Sequence, residues 1–366
     1  MAVSLGGLAH AADMPTKAPA LPPPKPVPFF FVNDTSVSFT WYFASTDPGV
    51  AGGSNIVPGG NGGTGNTFWR GQGSLDHFNI WEYGSTLIHL EVDQYSSKDP
   101  IQGQPGSAGS REFYGFAQET LSWNALSHSK TFQTLFTNDI GWLFRLTAGT
   151  ENNFLAEETT QYDLGVNVDF ALPKILGGSM QVGIAAHKEF THNEFDACGP
   201  GGFGVASGGA SGSCVGPGAF SGNRDFAWTW RLIEFNAVPL GGLLGEWAEP
   251  ARIVNVFSLI GPKGTGISQA NCLALGCFGP LGAFNNNETK TEIFEDVRLS
   301  VDTSKIFWGK AGIWDTYVGY RYWANKFGTN QNACLFAGCT AFGGPAGAPG
   351  TSVESTAYVG TTYHFK

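Results

Sequence analysis

The segment QYDLGVNVDFALP, residues 161–173, alternates almost without fault. Tyr162, Leu164, Val166, Val168 and Phe170 share one parity. Gln161, Asp163, Gly165, Asn167 and Asp169 share the other, and Pro173 ends the run. Successive side chains of a strand point to opposite faces, so the segment reads as a β-strand with one oily and one wet side. The pattern recurs along the chain in twelve candidate strands, at approximately 35–45, 75–83, 85–96, 111–123, 139–151, 160–171, 179–191, 224–236, 251–261, 289–302, 310–324 and 355–365. Beyond the leader, no window holds ~20 consecutive apolar residues, so no transmembrane helix is expected. In a membrane such a chain has one option, a closed barrel, because lipid leaves no partner for an unpaired backbone group.

Whether the oily rows meet a core or lipid depends on what joins them. The connections after strands 1, 3, 7, 9 and 11 are long and rich in Gly, Ser, Asn and Pro, as in CGPGGFGVASGGASGSC. Those after strands 2, 6 and 10 are short (YGST, LPKILGG, TSKIFWG). Long loops at one end and tight turns at the other are the asymmetry of outer-membrane barrels. Trp41, Phe43, Trp123, Phe170, Tyr363 and Phe365 fall on the oily parity near strand ends, where interfacial aromatic girdles sit. Charged residues make up only 14% of the chain, against about 25% in ordinary soluble domains. The expected fold is all-β: a transmembrane antiparallel up-and-down β-barrel of about 12 strands. An even count returns both termini to the periplasmic side.

The termini divide as follows. Residues 1–11 read as the remnant of a signal peptide, ending in the cleavage-like Ala9-His10-Ala11, though the usual basic start is missing. Residues 12–28 include PTKAPALPPPKPVP, seven prolines in fourteen residues, which reads as an extended periplasmic linker. Residues 29–366 form the barrel with long Gly-rich extracellular loops. All six cysteines lie in those loops, and their placement favours three local disulfides, Cys198 with Cys214, Cys272 with Cys277 and Cys334 with Cys339. Spacing and the lack of histidine pairs speak against a metal site, and no cofactor is expected.

A net charge of −10 leaves no basic surface for nucleic acid. Catalysis is not expected either. No Gly-x-Ser-x-Gly elbow occurs, GGNGGTG lacks the strand-to-helix setting of a phosphate loop, and His77, His89, His187, His192 and His364 are scattered. An outer-membrane lipase or protease is therefore the least favoured reading.

In a barrel the wet rows line a lumen. Parity turns Glu91, Asp93, Glu151, Asp163, Asp169, Glu292, Asp296, Asp302 and Asp315 inward with Arg145, Arg231, Arg298 and Arg321. Nine acids against four arginines make the lumen acidic, so cations and neutral polar solutes should pass more readily than anions. The competing reading is that these charges pair across strands and occlude the bore. Inward aromatic candidates for stacking against a solute are Tyr95, Tyr114, Phe116, Phe294 and Tyr358, and His89 lies on the same face as Glu91. Parity also has faults: Glu119, Lys188 and Glu295 fall on the lipid side, and strands 2 and 9 alternate poorly.

The stretches FNIWEYGSTLIHLEVDQYSSKDP, REFYGFAQETLSW, GPKGTG with ETKTEIFEDV, GYRYWANKFGT and the terminal TTYHF resemble the Tsx-type nucleoside-specific channels of Gram-negative outer membranes. The proline-bearing leader is similar to those of alphaproteobacterial outer-membrane proteins. The resemblance spans residues 29–366 through short, diffuse motifs. It implies a twelve-stranded monomeric barrel in the outer membrane, passive uptake of small polar solutes including nucleosides, contact with membrane lipid and lipopolysaccharide, and recognition of the last strand by the barrel-assembly machinery. The Cys-bearing loops and the final Lys366 depart from the enterobacterial pattern. A structural or surface-interaction barrel is the alternative.

Overall fold

The computed structural model describes residues 29–46, 67–98, 108–152, 157–173, 176–197, 221–264, 289–328 and 353–365. The leader, the Pro-rich linker and all six cysteines lie outside these residues.

Thirteen strands form one antiparallel sheet: β1 Phe30–Ser45, β2 Phe68–Trp81, β3 Gly84–Tyr95, β4 Arg111–Ser122, β5 Thr137–Glu151, β6 Glu157–Phe170, β7 Ser179–Ala197, β8 Ser221–Asp225, β9 Thr229–Pro239, β10 Ala251–Ile260, β11 Glu292–Asp302, β12 Trp314–Ala324 and β13 Glu354–Phe365. They pair in chain order except that β9 pairs with β7 and not with β8, and β1 with β13 closes the ring. β8 and β9 run along the same edge of β7, with Asp225 opposite Phe190 and Thr229 opposite His187. They are two halves of one stave interrupted at 226–228, so the barrel has the twelve staves expected. Closure leaves no sheet edge for lipid to meet.

The staves are tilted. One row of register partners starts at Glu151 on β5 and passes through Glu112, Asp93, Gln72, Thr40, Gly360, Tyr317 and Ser300 to Arg252 on β10. It begins at one rim of the barrel and ends near the other, as staggered barrel strands require. The two-residue turn Glu82-Tyr83 and the segments 123–136, 171–178, 240–250 and 303–313 lie at the rim shared with Phe30 and Phe365. The longer connections lie at the opposite rim, with the short link between β5 and β6. On the rule that periplasmic turns are the shorter, the first rim is periplasmic.

The oily rows point out. Val37, Phe39, Phe43, Val92, Phe113, Trp142, Phe144, Leu146, Ile184, Val318, Val359 and Tyr363 are all exposed. On β6, Tyr162, Leu164 and Val166 are exposed, whereas Asp163 and Asn167 are buried. A packed soluble core would show the reverse. Trp41 stacks on Trp69 with ring centroids 4.7 Å apart, and Tyr363 meets Phe365 edge-on at 5.3 Å.

All three parity faults have visible partners. Glu119 accepts hydrogen bonds from Trp81 Nε1 (3.1 Å) and Thr86 Oγ1 (2.6 Å). Lys188 is held by Asp225 and the carbonyl of Phe226, beside the break in the eighth stave. Glu295 takes a side-chain hydrogen bond from Asn255 on the next strand. Each carries its charge or dipole into the wall instead of leaving it bare in lipid.

The largest departure from the sequence expectation is β2, which starts at Phe68, not near 75. The run WRGQGS looks like loop because of its glycines. In the barrel Gly71 sits under the Trp41 ring, with its virtual Cβ 3.5 Å from that ring. A close-packed indole replaces the side chain that the alternation lacks. The tenth and eleventh candidates also begin late, at 292 and 314 in place of 289 and 310.

Candidate functional site

The inward rows build a continuous wall of charge and aromatic rings. Toward the extracellular rim, Arg70 lies 4.0 Å from Asp93 and 3.7 Å from Glu354, and Lys326 lies 3.3 Å from Glu354. Tyr95 donates to Glu112, and Lys263 pairs with Glu189. At mid-height Arg321 binds Asp296 (2.8 Å), which also accepts from Tyr358. Arg231 binds Asp163 (3.0 Å), Gln161 (3.3 Å) and Ser258 (3.2 Å). Near the periplasmic rim Asp315 meets Arg252 and His364.

Three inward histidines each bridge two carboxylates. His89 joins Asp76 (2.6 Å) and Glu91 (2.9 Å). His187 joins Asp163 (2.7 Å) and Glu189 (3.4 Å). His364 joins Asp34 (2.8 Å) and Asp315 (3.4 Å). With both ring nitrogens facing carboxylates, the doubly protonated ring is the form that satisfies all partners.

The cations also lie over rings. Arg70 sits 4.1 Å and Arg321 4.6 Å from the Tyr42 centroid, Arg145 3.6 Å from Phe116, and Arg298 4.8 Å from Tyr317. Two tyrosines in turn lie flat on glycines. A Cβ at Gly319 would fall 2.2 Å from the Tyr358 ring, and one at Gly360 would fall 2.4 Å from the Tyr317 ring. In each case the glycine is the register partner of the tyrosine on the neighbouring strand. The missing side chain lets the ring fold down against the wall.

A geometric rule covers these contacts. Among the described residues, every lumen ion pair lies within one stave, as His89 with Glu91 and His187 with Glu189, or joins staves that are neighbours or have one stave between them: Arg70 with Glu354 across β1, Arg231 with Asp163 across β7, Lys263 with Glu189 across β9, Arg252 with Asp315 across β11. None reaches the opposite wall. The pairing expected from sequence is present, and it runs along the wall.

The structure brings together His89, Glu91, Tyr114, Phe116 and Arg145 on β3–β5, and Phe294, Asp296, Arg321 and Tyr358 on β11–β13. Tyr95, Asp93 and Glu292 lie higher, with Glu292 accepting from Trp323 Nε1 at 2.9 Å. Asp169 lies apart at the periplasmic end of β6, in register with Asp139. Asp302 keeps the inward parity at the periplasmic end of β11, in register with Asp315, but it serves the local turn. Its carboxylate caps the turn that follows, accepting from Ser304 Oγ (2.7 Å), Lys305 N (2.8 Å) and Gly312 N (2.7 Å).

Several members of the wall are not on the sequence-derived list. Arg70 is hidden by the glycine-rich start of β2, and Lys263 and Lys326 follow strand ends, where parity no longer applies. Glu112, Glu189 and Glu354 were open to a parity count extended to every strand. These cations take up much of the acid excess counted from sequence.

No protein-family model matches the sequence, and no curated protein matches it. Solved structures with a similar course of chain include an outer membrane channel from Pseudomonas putida F1, at 10% identity and a TM-score of 0.42, covering 94% of this chain and 100% of that one. The beta domain of the Bordetella autotransporter BrkA gives 8% identity and 0.34, covering 91% and 100%. The Pseudomonas aeruginosa outer membrane protein OprD gives 8% and 0.27, covering 91% and 93%. With its closed twelve-stave sheet, apolar exterior and charged interior, the protein is an integral membrane β-barrel.

Proposed function

We propose that this barrel is a channel for passive passage of small polar solutes. The observation that carries the reading is the direction of the lumen pairs. Charges that bound across the bore would tie opposite walls together, whereas these bind sideways along the wall. A wall of paired charges and flat rings offers hydrogen bonds to a hydrated solute and does not trap it, which is what conduction needs.

The Tsx-type resemblance and the mid-height rings of Tyr114, Phe116, Phe294 and Tyr358 make nucleosides one candidate cargo, since a base stacks on aromatic faces. Planar bilayer recording in KCl with a panel of nucleosides, sugars and amino acids tests both levels. Discrete conductance steps are expected, with concentration-dependent block by the true solute. Block by adenosine or thymidine supports the nucleoside reading, and block by another class alone removes it. The occluded structural barrel has one observation in its favour, the near-complete burial of Asp93, Thr147 and Glu354. Absence of conductance from folded, inserted protein would establish it.

A further inference from the structure

Two lumen arginines stand apart from the rest. Arg70, Arg231, Arg252 and Arg321 each have a carboxylate within 4.0 Å. Among the described residues, Arg145 and Arg298 have none. Arg145 reaches only neutral oxygens, those of Gln118 and Thr147, each at 3.4 Å, and the Tyr114 hydroxyl. Arg298 has a Tyr317 ring beneath it, and its Nε has no hydrogen-bond partner. The acids closest in register or sequence are already engaged: Asp163, opposite Arg145, by Arg231 and His187; Asp296, two residues from Arg298, by Arg321 and Tyr358.

Their placement is related. Arg145 lies six residues below the extracellular end of β5 (Thr137–Glu151), and Arg298 six below that of β11 (Glu292–Asp302). Around the ring β11 is five staves from β5 one way and seven the other. The two side chains therefore project from nearly opposite walls at about the same depth, and both are only half-buried.

We propose that Arg145 and Arg298 form a subsite for solutes bearing a carboxylate, a reading that rests on the barrel being a channel. A guanidinium fork matches a carboxylate in two parallel hydrogen bonds. In a narrow, low-dielectric bore an unpaired cation raises the local concentration of anions. Two forks on facing walls offer a second partner as the first lets go, so the solute is held without being trapped. At this depth the unneutralised charge is positive, whatever the acid excess of the whole interior. On this reading anions, and not the cations favoured by a count of acids, are drawn to this depth.

The test is single-channel recording in KCl with three probes added in turn: sodium benzoate, its uncharged analogue benzamide, and inorganic phosphate. Benzoate should reduce the wild-type current, and benzamide should not. In the double variant Arg145→Gln, Arg298→Gln the half-blocking benzoate concentration should rise about tenfold, the loss expected for a charge-assisted hydrogen bond. The double lysine variant keeps charge without the fork and should fall between. The single variants give the same readout, each with a smaller rise, should the double glutamine variant not insert. Equal block by benzoate and benzamide, or no change in the glutamine variants, overturns the subsite. Block by phosphate without benzoate overturns the carboxylate class. Wild-type protein that conducts KCl but ignores every probe loses only the subsite, whereas protein that never conducts removes the channel reading beneath it.

Discussion

Gly319 and Asp302 show how single residues set the shape of this barrel. Gly319 is needed because the Tyr358 ring occupies the place of its Cβ, 2.2 Å away. Gly319→Val forces that ring into the bore or breaks the β12–β13 pairing, at a cost of about 1–3 kcal/mol for overpacking. The variant is expected to lose part of its heat-modifiable folded band on SDS gels. Gly73→Ala, where nothing lies within 4 Å of the new methyl, should leave that band unchanged. Asp302 closes the helical turn Thr303–Trp308, which ends at Gly309 in the left-handed region (φ 67°). Asp302→Ala removes a cap and two further bonds, so urea unfolding from lipid vesicles should show about 1–2 kcal/mol less stability.

At the level of strands, the two faces answer to different solvents. Leu164 stands midway along β6 and is 53% exposed on the outer wall. Leu164→Arg places a charge near the bilayer midplane and should destabilise the folded barrel by about 2–4 kcal/mol, read from the same urea titration. Alternation made these faces legible in the sequence: the parity of β3, β5, β6, β11 and β13 reads directly as inward or outward, and the stave count follows from it. Two things were illegible for physical reasons. Glycines under rings, as at Gly71, erase the alternation they sit in, which hid Arg70. Pairing between strands far apart in sequence, such as Arg70 with Glu354 or Arg231 with Asp163, depends on the stagger of the closed sheet and has no local signal. Parity therefore named most of the wall but could not say which of its charges were neutralised. That difference separates an acidic lumen from one with two free arginines.

For the whole molecule, stability and passage draw on the same side chains. Cations laid on rings and tied to carboxylates along the wall satisfy the interior without crossing it. Removing one partner leaves a buried charge alone: Asp296→Asn should destabilise the barrel and also free Arg321 toward the bore. The expected outcome is a shift of KCl reversal potential toward anion selectivity in the same protein that shows a lower unfolding midpoint. A structural pair with no access to the conducting path would show the second change without the first.

All of this depends on which solvent each row meets. Nitroxide labels placed singly at residues 161–168, in protein whose six cysteines are replaced by serine, report that directly in lipid vesicles. Collision with oxygen should be high at 162, 164, 166 and 168 and low at 161, 163, 165 and 167, a period of two in phase with the oily row. An oxygen profile without that period, or one of opposite phase, would contradict a barrel turned this way round.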